Sequence, residues 1–123
     1  MSTRCTIHFH DGNSPKSVAI IYRHSDGYPE SVLPDLQQFF AEVQKQTSDT
    51  RFADPSYLAA KYVVWQATEN ARHYDFDTNQ WQPSQPLDFL GLGVLMSDPS
   101  DIEHRYHILC TNGLPEVRHE TVP

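Results

Sequence analysis

Arg4-Cys5-Thr6-Ile7-His8-Phe9-His10 alternates strictly, with Cys5, Ile7 and Phe9 on one side and Arg4, Thr6, His8 and His10 on the other. A period of two is the signature of a half-buried strand, because successive side chains point to opposite faces. Asp11-Gly12-Asn13-Ser14-Pro15 then reads as a turn, and Ser17 to His24, rich in β-branched and aromatic residues (Val18, Ile20, Ile21, Tyr22), reads as a strand returning antiparallel to the first. Asp26-Gly27 ends this hairpin. From Ser31 the period lengthens: Val32, Leu36, Phe39 and Val43 recur at helical spacing, and Leu33 and Phe40 widen the stripe. Ser31 is the expected cap, with Pro34 tolerated in the first turn. Thr47-Ser48-Asp49-Thr50 closes that helix. Asp54-Pro55 opens a second, where Leu58, Tyr62 and Trp65 together with Tyr57, Ala60 and Val64 predict a broad buried surface.

The remainder reads as strands. Tyr74 and Phe76 before Asp77-Thr78-Asn79-Gln80, with Trp81 after it, suggest a small hairpin closed by Pro83 and Pro86. Leu90, Leu92, Val94 and Met96 alternate with Gly91, Gly93 and Leu95, and Ile102, Tyr106 and Ile108 alternate with Glu103, Arg105 and His107. Asp98-Pro99-Ser100-Asp101 joins these two strands, and a last short one runs from Glu116 to Val122. The glycines at 91 and 93 suggest a bulge or a close approach by a helix. The order ββαα followed by a strand-rich C-terminal half predicts a single α+β domain over residues 1–123. Its mainly antiparallel sheet would carry two helices packed on one face.

Composition narrows the function classes. The chain has 123 residues, 38% hydrophobic and 20% charged, which is globular composition. Nine Lys and Arg against sixteen Asp and Glu leave a net charge of -7, which opposes binding to nucleic acid or anionic membrane. No apolar run approaches the ~20 residues that cross a bilayer, and Met1-Ser2-Thr3-Arg4-Cys5 is followed by no signal-peptide core, so a cytoplasmic protein is expected. Cys5 and Cys110 form no CxxC pair and read as free thiols.

The segment richest in chemistry is Tyr22-Arg23-His24-Ser25-Asp26-Gly27-Tyr28-Pro29-Glu30, which gathers an imidazole, carboxylates and a guanidinium at a strand-to-helix passage. Arg23, His24, Asp26, Tyr28 and Glu30 are its candidate binding residues. A structural role for the same residues would have Asp26 accepting backbone N–H bonds of the turn and Arg23 pairing with Glu30. Consecutive His24, Ser25 and Asp26 point in different directions and make no catalytic triad, and no GxSxG elbow is present. Seven histidines raise the question of a metal, yet no HExxH occurs and no metal is expected. Asp75-x-Asp77-x-Asn79 begins like a calcium loop but has Gln80 where glycine and Pro86 where glutamate belong. Neither a Walker nor a Rossmann glycine pattern appears, so no cofactor is expected. The sheet face away from the helices would display Arg4, Thr6, His8, His10, Arg23, Glu103, Arg105 and His107, read as a solvated face with cross-strand ion pairs.

Ser2-Thr3-Arg4 before the first strand, and the IYRHxDGYPE pattern from Ile21 to Glu30, resemble a small uncharacterised prokaryotic family found in bacteria, archaea and mobile elements. The likeness extends through Asp54-Pro55-Ser56-Tyr57-Leu58-Ala59-Ala60 and Asp101-Ile102-Glu103. It implies a mobile-element setting and brings no activity or residue roles with it. The expectation is therefore a noncatalytic binding or regulatory domain engaging a protein or small polar ligand through the 24–30 loop, for instance as an inhibitor of a host protein. The alternative is a small hydrolase or other acid–base enzyme in which His24 and Asp26 activate water, with or without a metal. Self-association into a homodimer through an exposed strand edge is a third expectation.

Overall fold

The computed structural model describes residues 2–69, 72–83, 87 and 90–123. In chain order the elements are β1 (Cys5–Asp11), β2 (Ser17–Arg23), α1 (Pro29–Gln46), α2 (Pro55–Glu69), β3 (Arg72–Asp75), β4 (Gln80–Pro83), β5 (Leu92–Leu95), β6 (His104–Cys110) and β7 (Glu116–Thr121). The architecture is α+β, with the ββαα start and strand-rich second half that the sequence predicts. Five strands form one sheet in the order β5-β2-β1-β6-β7, and β3 pairs with β4 alone. Three of the four ladders in the large sheet are antiparallel, whereas β6 runs parallel to β1.

That parallel pair changes the reading of residues 96–103. β5 is antiparallel to β2, which is antiparallel to β1, so β5 and β6 point the same way and lie on opposite sides of the β2–β1 pair. Strands so oriented need a crossover instead of a tight turn. The connection accordingly runs back along the sheet, bringing Asp98 to Arg105 and to within 3.4 Å of His8.

One apolar cluster joins the sheet to the helices. Cys5, Ile7, Phe9, Ile21, Tyr106, Ile108 and Cys110 meet Val32, Leu36, Phe39, Phe40, Val43, Leu58, Tyr62 and Trp65, with the Phe39 and Tyr62 rings edge to face at 5.3 Å. The periodic residues of α1 are thus its buried ones. Its start differs from the expectation: Tyr28 is the N-cap and makes no side-chain cap bond, because Pro29 supplies a preset φ at the first position. Ser31, expected to cap, instead accepts a hydrogen bond from Arg23 at 3.3 Å.

α2 is narrower in its burial than predicted. Leu58, Tyr62 and Trp65 face the core, while Tyr57, Ala60 and Val64 are exposed. In β5, Leu92 packs on the core, but Val94 is exposed because the strand is an edge, as is Met96 just past its end. Gly91 has φ 72°, a left-handed turn into β5, whereas a Cβ on Gly93 would meet nothing nearer than Tyr22 at 3.9 Å. The ladder irregularity falls in the β1–β2 pair, between Phe9 and His10. The predicted 74–81 hairpin is present as β3–β4; closure by Pro86 lies outside the described residues. Cys5 and Cys110 are buried and unpaired at opposite ends of the β1–β6 ladder, ~20 Å apart at ~3.3 Å per residue. Among the described residues no helix is long and apolar enough to cross a membrane.

Candidate functional site

The 24–30 loop is held by its backbone. Gly27 is buried; its N–H donates to the Thr3 carbonyl at 2.9 Å, and its own carbonyl accepts the Tyr106 hydroxyl at 2.6 Å. Only glycine allows this approach, since a Cβ would stand 2.9 Å from both Cys5 Cβ and the Thr3 carbonyl oxygen. The His24 N–H donates to Gly91, and the Tyr28 carbonyl accepts from Ser31 and Val32, each at 3.0 Å. Asp26 takes the left-handed φ of 56° that the reversal requires, a conformation aspartate tolerates better than most residues.

Arg23 anchors the same loop from beneath. It projects from the helix-facing side of β2, which corrects its expected place on the open face: Ile21 precedes it on the core side, and only 13% of the Arg23 side chain is exposed. Its Nε donates to the Ser25 carbonyl at 3.1 Å, and its Nη1 donates to Asp35 at 2.8 Å and the Tyr62 hydroxyl at 3.2 Å. The pairing carboxylate is Asp35, not Glu30. Burial pushes the Tyr62 phenol well above its usual range, so it stays neutral beside the guanidinium.

The side chains carried by this pinned backbone face outward. His24, Asp26, Tyr28 and Glu30 are all exposed. The His24 Nδ1 shares a 2.8 Å hydrogen bond with the Tyr22 hydroxyl. Among the described residues the Asp26 carboxylate makes no hydrogen bond, so the expected bonds from Asp26 to turn N–H groups are not formed. Around the same end, His104 and His119 share a 2.9 Å bond, and the His119 ring lies 5.0 Å from that of Tyr106. Burial and the neighbouring His104 hold the His119 pKa down, against the fields of Glu120 and Glu30.

The other sheet face holds a cluster that sequence reading took for solvated. Thr6 is fully buried, and His8 and His10 are 3% and 4% exposed. His8 bonds Thr6 at 2.9 Å and Ser17 at 2.8 Å; His10 donates from Nδ1 to the Ser14 carbonyl at 2.9 Å and meets His107 Nδ1 at 2.8 Å through Nε2. His107 Nε2 then reaches Glu120 at 3.0 Å. Hydrogen bonds from Arg105 and His107 hold the Glu120 pKa at about 2. Alternation marked these residues as polar but could not show that the 96–103 crossover lies over them. Among the described residues, no group of three or more His, Cys, Asp or Glu side chains is arranged to hold a metal ion.

No protein-family model, curated protein or solved structure matches the chain. The family resemblance therefore rests on the quoted motif residues alone.

Proposed function

We propose that the protein is a noncatalytic binding module that engages a protein partner through His24, Asp26, Tyr28 and Glu30. The supporting observation is a backbone fixed through Thr3, Tyr106, Arg23 and Gly91 beneath four outward side chains. Such a loop is ordered before it binds, so association costs less conformational entropy. Tyr28 supplies an amphipathic aromatic of the kind that dominates interfaces, and two carboxylates on a chain of net charge -7 steer it towards a basic surface. Small polar ligands usually need concave sites, so the open presentation favours a protein over a small ligand. The acid–base reading has less behind it, because His24 is bonded to Tyr22 and, among the described residues, Asp26 orients no imidazole. Unpaired buried thiols support a reducing, cytoplasmic setting, and inhibition of a host protein follows from the mobile-element resemblance.

A photo-crosslinking residue in place of Tyr28 identifies the partner in cells, and binding of that purified partner is then measured by calorimetry. Combined Asp26→Ala, Tyr28→Ala and Glu30→Ala is expected to raise Kd at least ~10-fold while leaving the melting temperature within a few degrees. Unchanged affinity, or no crosslink at position 28, overturns the proposal.

A further inference from the structure

Tyr57, Ala60 and Val64 form a second apolar stripe on α2 that is exposed, with the Arg51 guanidinium stacked over the Tyr57 ring at 4.6 Å. Tyr57 and Val64 are 54% and 62% exposed, and with Phe39 and Val43 of α1 and Trp65 they bound an open groove of about 660 Å³. Lys61 stands on the α2 rim and Glu42 on the α1 rim. The same chain carries a matching projection. In the β3–β4 hairpin, Tyr74 packs edge-on against Phe76 at 5.0 Å and Trp81 at 5.5 Å, yet Phe76 is 83% and Trp81 63% exposed. A lone two-stranded hairpin is marginal in water, and an exposed aromatic cluster is a common mark of an interaction surface.

We infer that the groove receives the aromatic hairpin of a second copy of this chain, and that the exchange is reciprocal. The exposure of Phe76 and Trp81 shows that the hairpin does not fill the groove of its own chain. Charge favours a copy of the same chain: Asp75 and Asp77 flank the aromatic cluster, and Lys61 is the cation on the rim, while Glu42 directs those carboxylates to the α2 side. Size is adequate. Phe and Trp bury ~150–250 Å² each when fully covered, and Phe76 and Trp81 have 83% and 63% of their surface left to bury, so the four side chains of two copies, with the groove walls they cover, bury roughly 900–1,500 Å², reaching the lower part of the ~1,200–2,000 Å² of a stable interface. Because each copy gives a hairpin and takes one, the contact closes as a two-fold dimer and does not propagate.

Sedimentation of the full chain across concentration tests this. The native chain is expected to be a reversible dimer. Val64→Glu in the groove, or Phe76→Asp with Trp81→Asp in the hairpin, removes both contacts and is expected to raise the dimer Kd ~100-fold or more. These residues are exposed, so each variant should keep the native melting temperature of the monomer. Mixing the two variants leaves one groove and one hairpin intact, so the mixture is expected to form a heterodimer that neither variant forms with itself. A native chain that stays monomeric overturns the inference. So does a dimer indifferent to both variants, which would point to a strand edge, or a mixture no more associated than its components.

Discussion

His8 is enclosed by Thr6, Ser17, His10, His107, Arg105 and Asp98, and burial lowers its pKa from 6.5 to about 4, with the Asp98 carboxylate opposing. The unfolded chain binds this proton below about 6.5 while the folded chain refuses it until about 4, so in that window the unfolded state holds more protons and stability falls as pH falls. His10, also lowered by burial, acts in the same direction. The cost at His8 is at most ~3.5 kcal/mol, at ~1.4 kcal/mol per pK unit. Glu120 works in a lower window: its folded pKa is depressed, so its contribution is complete above the ordinary carboxylate range and disappears only as pH approaches about 2. Urea unfolding at about pH 7 and about pH 4.5 should therefore show a loss of roughly 2–3 kcal/mol in the native chain and a smaller one in His8→Gln, which does not titrate. Equal losses in both chains would remove His8 as the source. None of this was legible from Thr6-Ile7-His8-Phe9-His10, whose alternation distinguishes two faces but not what covers the second. The 24–30 cluster was legible as an unusual gathering of chemistry; its anchoring by Thr3 and Tyr106 was not, since both lie far from it in sequence or on another strand.

At the level of elements, one polar network fastens the sheet to both helices. Arg23 on β2 reaches Asp35 and Ser31 on α1 and Tyr62 on α2, and Gln66 on α2 donates to the same Asp35 oxygen. Only 13% of the Arg23 side chain and 16% of the Asp35 side chain are exposed, so the pair is poorly screened by water. Arg23→Met keeps the aliphatic stem but leaves Asp35 without its cation, and the expected cost in urea unfolding is about 3 kcal/mol. Adding Asp35→Leu should recover part of it, because the penalty is mostly that of an unpaired charge. A loss below ~1 kcal/mol in Arg23→Met would mean that water already solvates Asp35. The helices themselves were readable: the 32, 36, 39, 43 spacing names the buried face of α1, and Asp54-Pro55 names the start of α2. Their partners were not. Periodicity assigns Tyr57 and Val64 to an apolar stripe without saying that the sheet lies on the other side, and an edge position for Val94 depends on the order of strands.

For the molecule as a whole, that order is the part furthest from the local sequence. β1 occupies the centre, with a strand from its own hairpin on one side and, on the other, β6, about a hundred residues later in the chain. A turn-like Asp98-Pro99-Ser100-Asp101 suggests neighbours, yet the pairing of Ile7 with Tyr106 and Phe9 with Ile108 is decided by burying both strands under the same helices. The N-terminal half consequently lacks a finished core. A chain ending at Glu69 would retain β1, β2, α1 and α2 but lose Tyr106, Ile108 and Cys110 from the apolar cluster, and would leave β1 as an open edge bearing Ile7 and Phe9. It would also lose the Tyr106 hydroxyl that holds Gly27, so the candidate binding loop borrows its rigidity from the far end of the chain. Such a fragment is expected to show no cooperative urea transition and no dispersed amide spectrum alone, and to gain both when a separate peptide covering residues 90–123 is added. Cooperative unfolding by the shorter chain alone would show instead that the first two strands and helices form an independent unit, on which β6 and β7 merely dock.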